Sequence, residues 1–357
     1  MKNLDFYKDK CVLVTGHTGF KGTWLCKILS MSGAKVVGYA LEPPTDPSLF
    51  VQSEMAKEMT CVIGDIRDYD KLLSVFAEHR PDIVFHLAAQ PIVRESYRTP
   101  RETFSTNVMG TVNVLECARQ VGCVRSLLNV TTDKVYENHE WEWGYRETDT
   151  LCGFDPYSNS KSCSELVTRS YKNSFFDDGR IAVSTARAGN VIGGGDYAAD
   201  RLIPDCVRAA MKCEPIILRN PLSVRPFQHV LEPLFAYLLI AEKQYSDPSL
   251  AGSYNVGPTQ SDCLTSGEMA DLFCAAWGDN QTWRCVSEEN AVHEANFLRL
   301  DCARIRERLG WQPVWNAQTA VAKTVEFTKR GLYGKIPAET MQRQIEEYME
   351  IQSCLKI

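Results

Sequence analysis

The run CVLVTGHTGFKG, residues 11–22, decides the fold of this 357-residue chain. Its first five residues are apolar or β-branched, which is typical of a strand buried in a parallel sheet. Gly16, Gly19 and Gly22 follow at Gly-x-x-Gly-x-x-Gly spacing, and apolar pairs then recur at helical spacing from Trp24 onward. A strand, a glycine-rich turn and a helix in this order predict a dinucleotide site, because glycines let the backbone approach a pyrophosphate at a helix N-terminus.

The segments that follow alternate between apolar runs and helical patterns up to about residue 190. Strands are predicted at 35–39, 61–64, 82–90, 126–130 and 181–186, and Asn107 opens a long helical pattern. This alternation predicts an α/β fold with a doubly wound parallel (Rossmann) sheet. Later, Arg and Pro become prominent, which favours a smaller C-terminal α/β substrate-binding domain. We expect a dinucleotide-binding domain over 1–188, with segments at about 226–260 returning to it, and a substrate-binding domain mainly over 189–357. The last thirty residues predict a surface helix.

Composition excludes several classes of partner. A formal net charge of −6 without a basic stripe argues against nucleic acid. No apolar run reaches the roughly 18 residues of a membrane span, and no signal-peptide core follows Met1. The fourteen cysteines lack a Cys-x-x-Cys pair, which favours reduced, buried side chains over disulfides or metal ligands. We therefore expect a cytoplasmic protein with no metal, nucleic-acid or membrane partner.

The ends of the second, third and fourth predicted strands bear on the cofactor. The second strand ends without the acid or arginine that separates NAD from NADP, since Glu42 comes late, so this position leaves the choice open. Asp65, at the third strand end, either accepts a hydrogen bond from an adenine amino group or caps the helix that begins near Tyr69. The fourth strand ends in small residues, Ala88 and Ala89, which leave room for a cofactor to cross its carboxyl end.

Two polar groups carry the chemistry. The fifth strand delivers Thr132, Asp133 and Lys134 to the edge where active sites of such sheets lie, although Thr and Asp also cap turns. Tyr157 and Lys161 follow the helix-entry signal Asp155-Pro156 and share one helix face. A neighbouring ammonium stabilises a phenolate, so Tyr157 can act as a base, unless this is an ordinary amphipathic helix.

Together, Gly16-x-x-Gly19-x-x-Gly22, Thr132-Asp133-Lys134 and Tyr157-x-x-x-Lys161 resemble the extended short-chain dehydrogenase/reductase family of nucleotide-sugar enzymes. Three further segments, 141–147 (WEWGYRE), 187–196 (RAGNVIGGGD) and 225–230 (RPFQHV), are similar to those of the members that act on CDP-glucose. The likeness covers nearly the whole chain. Its tryptophan-rich segment separates the sequence from the epimerases of the family.

The resemblance implies dehydration of CDP-glucose to CDP-4-dehydro-6-deoxyglucose with NAD, in deoxysugar biosynthesis for surface polysaccharide such as the lipopolysaccharide O-antigen. It implies that Tyr157, aided by Lys161 and Thr132, takes the proton of the 4-hydroxyl while a hydride leaves C4 for the nicotinamide. Asp133 is then the acid for the departing 6-hydroxyl. Lys134 is the base at C5 if its pKa is lowered, or it only orients the sugar or balances Asp133.

The resemblance also implies binding residues and an assembly. Besides Tyr157 and Lys161, the expected cofactor residues are Gly16, His17, Gly19, Phe20, Gly22, Asp65, Ile66, Leu87, Ala88, Ala89 and Asn107. The expected nucleotide-sugar residues are Gln90, Asn190, Arg201, Arg219, Arg225 and Arg299, where the arginines suit a diphosphate. A homodimer or homotetramer built through a four-helix bundle is expected. Three alternatives stay open: a nucleotide-sugar 4-epimerase, a dehydratase of another NDP-glucose, and a non-catalytic dinucleotide-sensing protein.

Overall fold

The computed structural model describes residues 4–286, 297–334 and 336–354, so three residues at each end of the chain lie outside it. The strands are β1 Cys11–Thr15, β2 Lys35–Ala40, β3 Thr60–Ile63, β4 Ile83–His86, β5 Ser126–Val130, β6 Ala182–Ala188, β7 Val191–Ile192, β8 Ile216–Leu218, β9 Val224–Pro226, β10 Gln228–His229, β11 Ser253–Val256, β12 Cys263–Thr265 and β13 Trp283–Cys285. The helices are α1 Phe20–Met31, α2 Leu49–Gln52, α3 Tyr69–His79, α4 Val93–Arg98, α5 Pro100–Phe104, α6 Gly110–Val121, α7 Pro156–Phe175, α8 Leu202–Met211, α9 Leu231–Ser246, α10 Ser266–Trp277, α11 Ala303–Leu309, α12 Ala317–Leu332 and α13 Pro337–Cys354.

Seven strands form one parallel sheet in the order β11-β6-β5-β4-β1-β2-β3, which confirms the predicted doubly wound α/β fold. The strand order reverses between β1 and β4, so the chain crosses to opposite faces of the sheet on either side of that point. In open α/β sheets, ligands bind outside the carboxyl ends of the strands at such a reversal. The strands are largely buried on both faces, as their continuous apolar character predicted.

Local signals set the start of the two helices that matter most. Asp155 caps α7 by accepting hydrogen bonds from the Ser158 backbone N–H (2.9 Å) and hydroxyl (2.5 Å), and Pro156 occupies the first turn. This confirms the predicted helix entry. Helix α1 instead begins after Gly19, which offers no side-chain cap, so its first amides face outward from the glycine loop.

The C-terminal segments complete the core around α1 and α9. Trp24 of α1 is fully buried, donates its indole N–H to the carbonyl oxygen of Gly194 (3.0 Å) and lies against the rings of His229 and Phe327. The prediction that the last thirty residues form only a surface helix is therefore wrong for one face of α13. Its buried side chains, Met341, Ile345 and Tyr348, join the core beneath the sheet.

Glu232 of α9 is a buried carboxyl group that ties the C-terminal segments to the sheet layer. It accepts hydrogen bonds from the backbone N–H groups of Val314 (3.0 Å) and Trp315 (2.6 Å) and from the hydroxyl of Tyr348 (2.8 Å). Burial raises the pKa of Glu232 to about 7. A second apolar cluster, separate from the sheet, packs α8, α10 and α12 together.

The bounds of two predicted elements and the burial of the cysteines differ from the expectations. Helical backbone begins at Pro100, before Asn107, because proline suits a first helical turn, and residues 105–109 form a π-turn ahead of α6. The fourth strand ends at His86, and residues 87–90 leave the sheet. All fourteen cysteines are free thiols, but Cys152, Cys213, Cys285 and Cys354 are exposed, so they are not uniformly buried. Within the described residues, no helix is both long and apolar enough to span a membrane, and no His, Cys, Asp and Glu side chains cluster as a metal site.

Candidate active site

A cleft of about 1880 Å³ runs along the carboxyl edge of the sheet. Residues that directly follow β1 to β6 line it, including Gly16, Leu41, Gly64, Leu87 and Thr131. Side chains from the second apolar cluster form the opposite wall, among them Leu202, Ile203 and Leu218. The cleft therefore lies where the strand order predicted a ligand site.

The backbone of the glycine loop is packed so closely that a side chain would not fit at Gly16 or Gly22. Gly16 has φ +78°, and a Cβ on it would lie 2.8 Å from the backbone nitrogen of Ala88. A Cβ on Gly22 would lie 2.1 Å from the carbonyl oxygen of Gly16, so α1 can approach the loop only through glycine. Phe20, Ile66, Ala88 and Ala89 line the same part of the cleft. An uncapped helix N-terminus beside a close-packed glycine loop fits the pyrophosphate of NAD.

Four of the predicted binding side chains do not line the cleft. The ring of His17 is buried against Gly38 and Phe50, and burial lowers its pKa to about 4. Asn107 lies behind the wall, where its amide holds the backbone N–H (2.8 Å) and carbonyl (3.1 Å) of Gln90 and the hydroxyl of Ser160 (2.8 Å).

The other two are Gln90 and Arg299. The Gln90 amide donates to the hydroxyl of Thr103 (2.8 Å) and accepts from the backbone N–H of Ile92 (2.6 Å), so it is directed away from the cleft. The Arg299 guanidinium lies 4.7 Å from the centre of the Phe297 ring, while its neighbour Leu298 lines the cleft. In this structure the four residues shape the walls from behind.

Asp65 lines the cleft, but it does not cap a helix. Its carboxylate accepts hydrogen bonds from the backbone N–H (2.8 Å) and the guanidinium of Arg67, which lower its pKa. Asp68 caps α3 instead, by accepting from the backbone N–H of Lys71 (3.1 Å). The capping alternative for Asp65 is therefore wrong, and its carboxylate lines the cleft.

The turn after β5 holds its polar side chains in one network. Asp133 is fully buried, and its Oδ1 accepts from the Thr132 hydroxyl (3.0 Å) and the Lys134 ammonium (3.0 Å). Lys134 also donates to the Asn190 side-chain oxygen (3.2 Å). Asp133 Oδ2 has no hydrogen-bond partner among the described residues. This carboxyl and ammonium form an ion pair at the wall of the cleft.

Tyr157 and Lys161 both face the cleft from α7, as their spacing predicted. Burial raises the pKa of Tyr157 to about 12; a hydrogen bond with Thr132 opposes this rise, and the charge of Asp133 adds to it. Burial lowers the pKa of Lys161 to about 8, and its ammonium donates to the carbonyl oxygen of Val130 (3.0 Å). The described residues alone therefore do not produce the lowered phenol pKa that the motif suggested, because burial outweighs the lowering effects of Thr132 and Arg201.

Sequence reasoning missed two polar side chains close to these groups. Lys21 lines the cleft, and burial lowers its pKa to about 7, with further lowering by Arg201 and Lys161. Its position inside the glycine loop, residues 16–22, is the sequence signal that could have identified it. Glu165 lies one turn beyond Lys161 on the same face of α7, and that i+4 spacing from Lys161 could have identified it.

Several predicted nucleotide-sugar residues lie on the far wall of the cleft. Asn190, Arg201, Arg219 and Arg225 all line it. Arg201 pairs with the buried carboxylate of Asp196 (2.9 Å). Its guanidinium also acts on Lys21 in the first turn of α1, where its charge contributes to the lowered pKa of that lysine.

Known proteins that resemble this chain agree with this architecture. The family model described as GDP-mannose 4,6 dehydratase matches residues 13–324. A CDP-glucose 4,6-dehydratase from Salmonella typhimurium is 46% identical over 98% of this chain and 99% of that protein. A UDP-glucose 4-epimerase from Thermotoga maritima, solved with UDP-glucose, has a TM-score of 0.79 and 21% identity over 90% of this chain and 99% of that one. A dTDP-glucose 4,6-dehydratase from Bacillus anthracis, solved with NAD, has a TM-score of 0.76 and 21% identity over 90% and 97%.

Proposed function

The chain belongs to the GDP-mannose 4,6-dehydratase family, and from that premise we infer that it catalyses the NAD-dependent 4,6-dehydration of CDP-glucose. The reaction removes one water and yields CDP-4-dehydro-6-deoxyglucose, so the enzyme is a hydro-lyase. The observation that carries this conclusion is the identity with the Salmonella dehydratase, because the two chains match along nearly their whole lengths.

Bound NAD supplies a hydride acceptor and donor, so the sugar is oxidised at C4 and later reduced at C6 with no net change in the cofactor. The glycine loop and the first turn of α1 would hold its pyrophosphate, and Asp65 would bind its adenosine end. Tyr157 acts in its phenolate form, which the Lys161 ammonium and the positive charge of the oxidised nicotinamide would favour, and its phenolic oxygen takes the proton of the sugar 4-hydroxyl. The Thr132 hydroxyl, which lies close to that oxygen, would orient it once the sugar is bound.

The Asp133–Lys134 pair provides the acid and the base for loss of water. Moving one proton from the Lys134 ammonium to Asp133 across 3.0 Å converts the ion pair into a neutral amine and a carboxylic acid. The amine then takes the proton from C5, which the adjacent 4-keto group acidifies, and the carboxylic acid protonates the departing 6-hydroxyl. One proton enters the pair and one leaves it, so the pair is restored. In the alternative role, the Lys134 ammonium only neutralises the charge of Asp133 and orients the sugar, and it does not act as the base at C5.

The far wall of the cleft binds the nucleotide diphosphate. Arg201, Arg219 and Arg225 are suited to its oxygens, because guanidinium groups donate in pairs and stay charged. Asn190 reaches the sugar beside Lys134. We assign this wall and the cluster of α8, α10 and α12 to a nucleotide-sugar domain, mainly within 189–357, while 226–260 and α13 pack with the dinucleotide-binding part.

We also propose that the enzyme is a homodimer or homotetramer in the cytoplasm. Large apolar side chains are exposed along the helical layer from α4 to α7; they are Tyr97, Phe104, Met109, Leu166 and Phe175. A second copy that packs its own α4–α7 layer there would bury them in a helix bundle. Free thiols at all fourteen cysteines suit a reducing compartment. Light scattering of the purified enzyme gives the subunit count, and a monomer would contradict the first part of this proposal.

The function is tested by incubating the enzyme with NAD and, separately, with CDP-, dTDP- and UDP-glucose. Products are examined by mass spectrometry and NMR, and NADH is followed by absorbance. We expect CDP-glucose to lose one water without net formation of NADH. Loss of water from dTDP-glucose instead would keep the mechanism and change the nucleotide. A product of unchanged mass would indicate an epimerase.

A further inference from the structure

A fully buried ion pair lies beneath the catalytic turn. Glu165 of α7 and Arg187 of β6 have side chains that are 2% and 3% exposed. The guanidinium donates twice to the carboxylate, from Nε to Oε1 (3.0 Å) and from Nη2 to Oε2 (2.8 Å). Burying such a pair is seldom more stabilising than burying apolar side chains of the same volume, because desolvation of the two charges costs several kcal/mol.

Glu165 fixes the residue that precedes the catalytic turn. Its Oε1 accepts from the Thr131 hydroxyl (2.5 Å), and its Oε2 accepts from the Thr185 hydroxyl (2.7 Å). Thr131 lies between Val130, whose carbonyl oxygen accepts from Lys161, and Thr132. One carboxylate thus anchors the end of β5 to the helix that carries Lys161, one turn away.

Arg187 fixes the residues that follow the turn. Its Nη1 donates to the phenolic oxygen of Tyr136 (2.8 Å), and its guanidinium lies 5.1 Å from the centre of that ring. Tyr136 stacks on Tyr145 (5.1 Å between centres, 14° between planes), and Trp141 stacks on the other side of Tyr145 (5.4 Å). The pair therefore holds both ends of the segment 131–136.

We propose that Glu165 and Arg187 are a positioning pair for the 4,6-dehydration, which hold Thr132, Asp133 and Lys134 in register with Tyr157 and Lys161 across the cleft. Neither side chain lines the cleft, so neither touches the sugar or the cofactor. The inference rests on the proposed function, since the register matters only if these groups act together. Displacement of such groups by about 1 Å can cost about 100-fold in rate.

The pair also sets the charge around Lys161. Glu165 raises the pKa of Lys161 against the larger lowering effect of burial. Two other titratable groups interact with Lys161 from neighbouring elements: Lys21 of α1, which is cationic below about pH 7, and His86 of β4, which burial keeps neutral. Glu165 is the only anion among these three neighbours, so removing its charge lets the Lys161 ammonium lose its proton at lower pH.

The test uses the double variant E165Q/R187M, which removes both charges and so leaves no uncompensated buried ion. We expect it to fold, to keep a KM for CDP-glucose within a few-fold of wild type, and to lose about 100-fold in kcat. We also expect the alkaline limb of its kcat–pH profile to move to lower pH by about one unit. The matched control is E326Q/R343M, an ion pair between α12 and α13, which should change neither quantity.

A second measurement does not depend on turnover. Acetylation of Lys161 in cofactor-free enzyme, followed against pH by peptide mass, should have its midpoint near 8 in wild type and lower in E165Q/R187M. A folded double variant with wild-type kcat and an unchanged alkaline limb would overturn the proposal. If E165Q/R187M does not fold, R187K replaces it: that variant keeps Glu165 charged, so kcat should fall while the alkaline limb stays, and wild-type kcat would again overturn the proposal.

Failure of the proposed function gives a different result. Wild-type enzyme that leaves CDP-glucose intact would remove the reaction, whereas the pH dependence of Lys161 acetylation would still report whether Glu165 controls that ammonium.

Discussion

Replacing Glu232 with glutamine should make the enzyme more stable at neutral pH. Glu232 is fully buried and accepts from two backbone N–H groups and the Tyr348 hydroxyl. Burial raises its pKa to about 7 from an ordinary value of 4.5, so the folded protein holds the proton more tightly than the unfolded chain does. Glutamine keeps an oxygen for the two backbone N–H groups, its amide N–H can donate to the Tyr348 hydroxyl, and it carries no charge to desolvate.

The sign and size of the effect follow from this pKa difference. A raised carboxyl pKa contributes stability that is fully present below pH 4.5 and is lost as the pH rises to about 7. At about 1.4 kcal/mol per pKa unit, the loss is about 3 kcal/mol. E232Q avoids it, so we expect nearly equal free energies of unfolding for the two proteins at pH 4.5, and an advantage of about 3 kcal/mol for E232Q at pH 7.5.

Urea unfolding of both proteins at several values between pH 4.5 and 7.5, followed by tryptophan fluorescence, measures this difference. The matched control is Glu346→Gln on the exposed face of α13, which should show no such trend. A difference between wild type and E232Q that stays constant with pH, or E232Q less stable at pH 7.5, would refute the reasoning. Either result would mean that the three donors keep Glu232 ionised in the folded protein.

Three further predictions concern the site itself. Tyr157→Phe should lower kcat by about 10³-fold while CDP binding, measured by calorimetry, is retained; near-normal turnover would remove Tyr157 as the base. Lys134→Ala should abolish exchange of the C5 hydrogen with D₂O, and normal exchange would place the base elsewhere. Gly22→Ala should destabilise the fold by about 1–3 kcal/mol, because its Cβ would lie 2.1 Å from the Gly16 carbonyl oxygen. Gly331→Ala, with nothing within 4 Å, should leave the melting temperature nearly unchanged, and equal effects of the two changes would contradict the close packing.

Sequence reasoning succeeded where the signal is local. The run 11–22 predicts the strand, loop and helix because the glycines and the apolar pattern are adjacent in the chain. Asp155-Pro156 likewise marks the start of α7, since a cap bonds to amides within its own first turn. These elements also fix which edge of the sheet carries the cleft.

It failed where a side chain finds a partner distant in the chain. His17 belongs to the glycine loop, yet its ring fills the space over Gly38 of β2, which only the fold brings near. The Gln90 amide donates to the Thr103 hydroxyl, 13 residues further along the chain. Tyr348 of α13 donates to Glu232, 116 residues before it. The prediction that Lys161 lowers the pKa of Tyr157 failed for another reason. Spacing along the helix predicts that the two side chains are close, but it does not predict their desolvation, and burial is the largest effect on both pKa values.

The side chains that pack over Trp24 are synthesised late, and this affects folding during translation. On the ribosome, α1 emerges long before His229 and Phe327, whose rings lie 6.1 and 6.0 Å from the Trp24 ring. Glu232 is likewise synthesised 116 residues before Tyr348, whose hydroxyl donates to it in the folded protein. The apolar face of α1 therefore stays uncovered in the nascent chain through most of elongation. Chaperones recognise apolar surfaces of this kind. A product of stalled translation that lacks α12 and α13 would contain the complete glycine motif. Its α1 would nevertheless lack the side chains that pack against Trp24 in the folded protein, so the glycine loop would be unsupported.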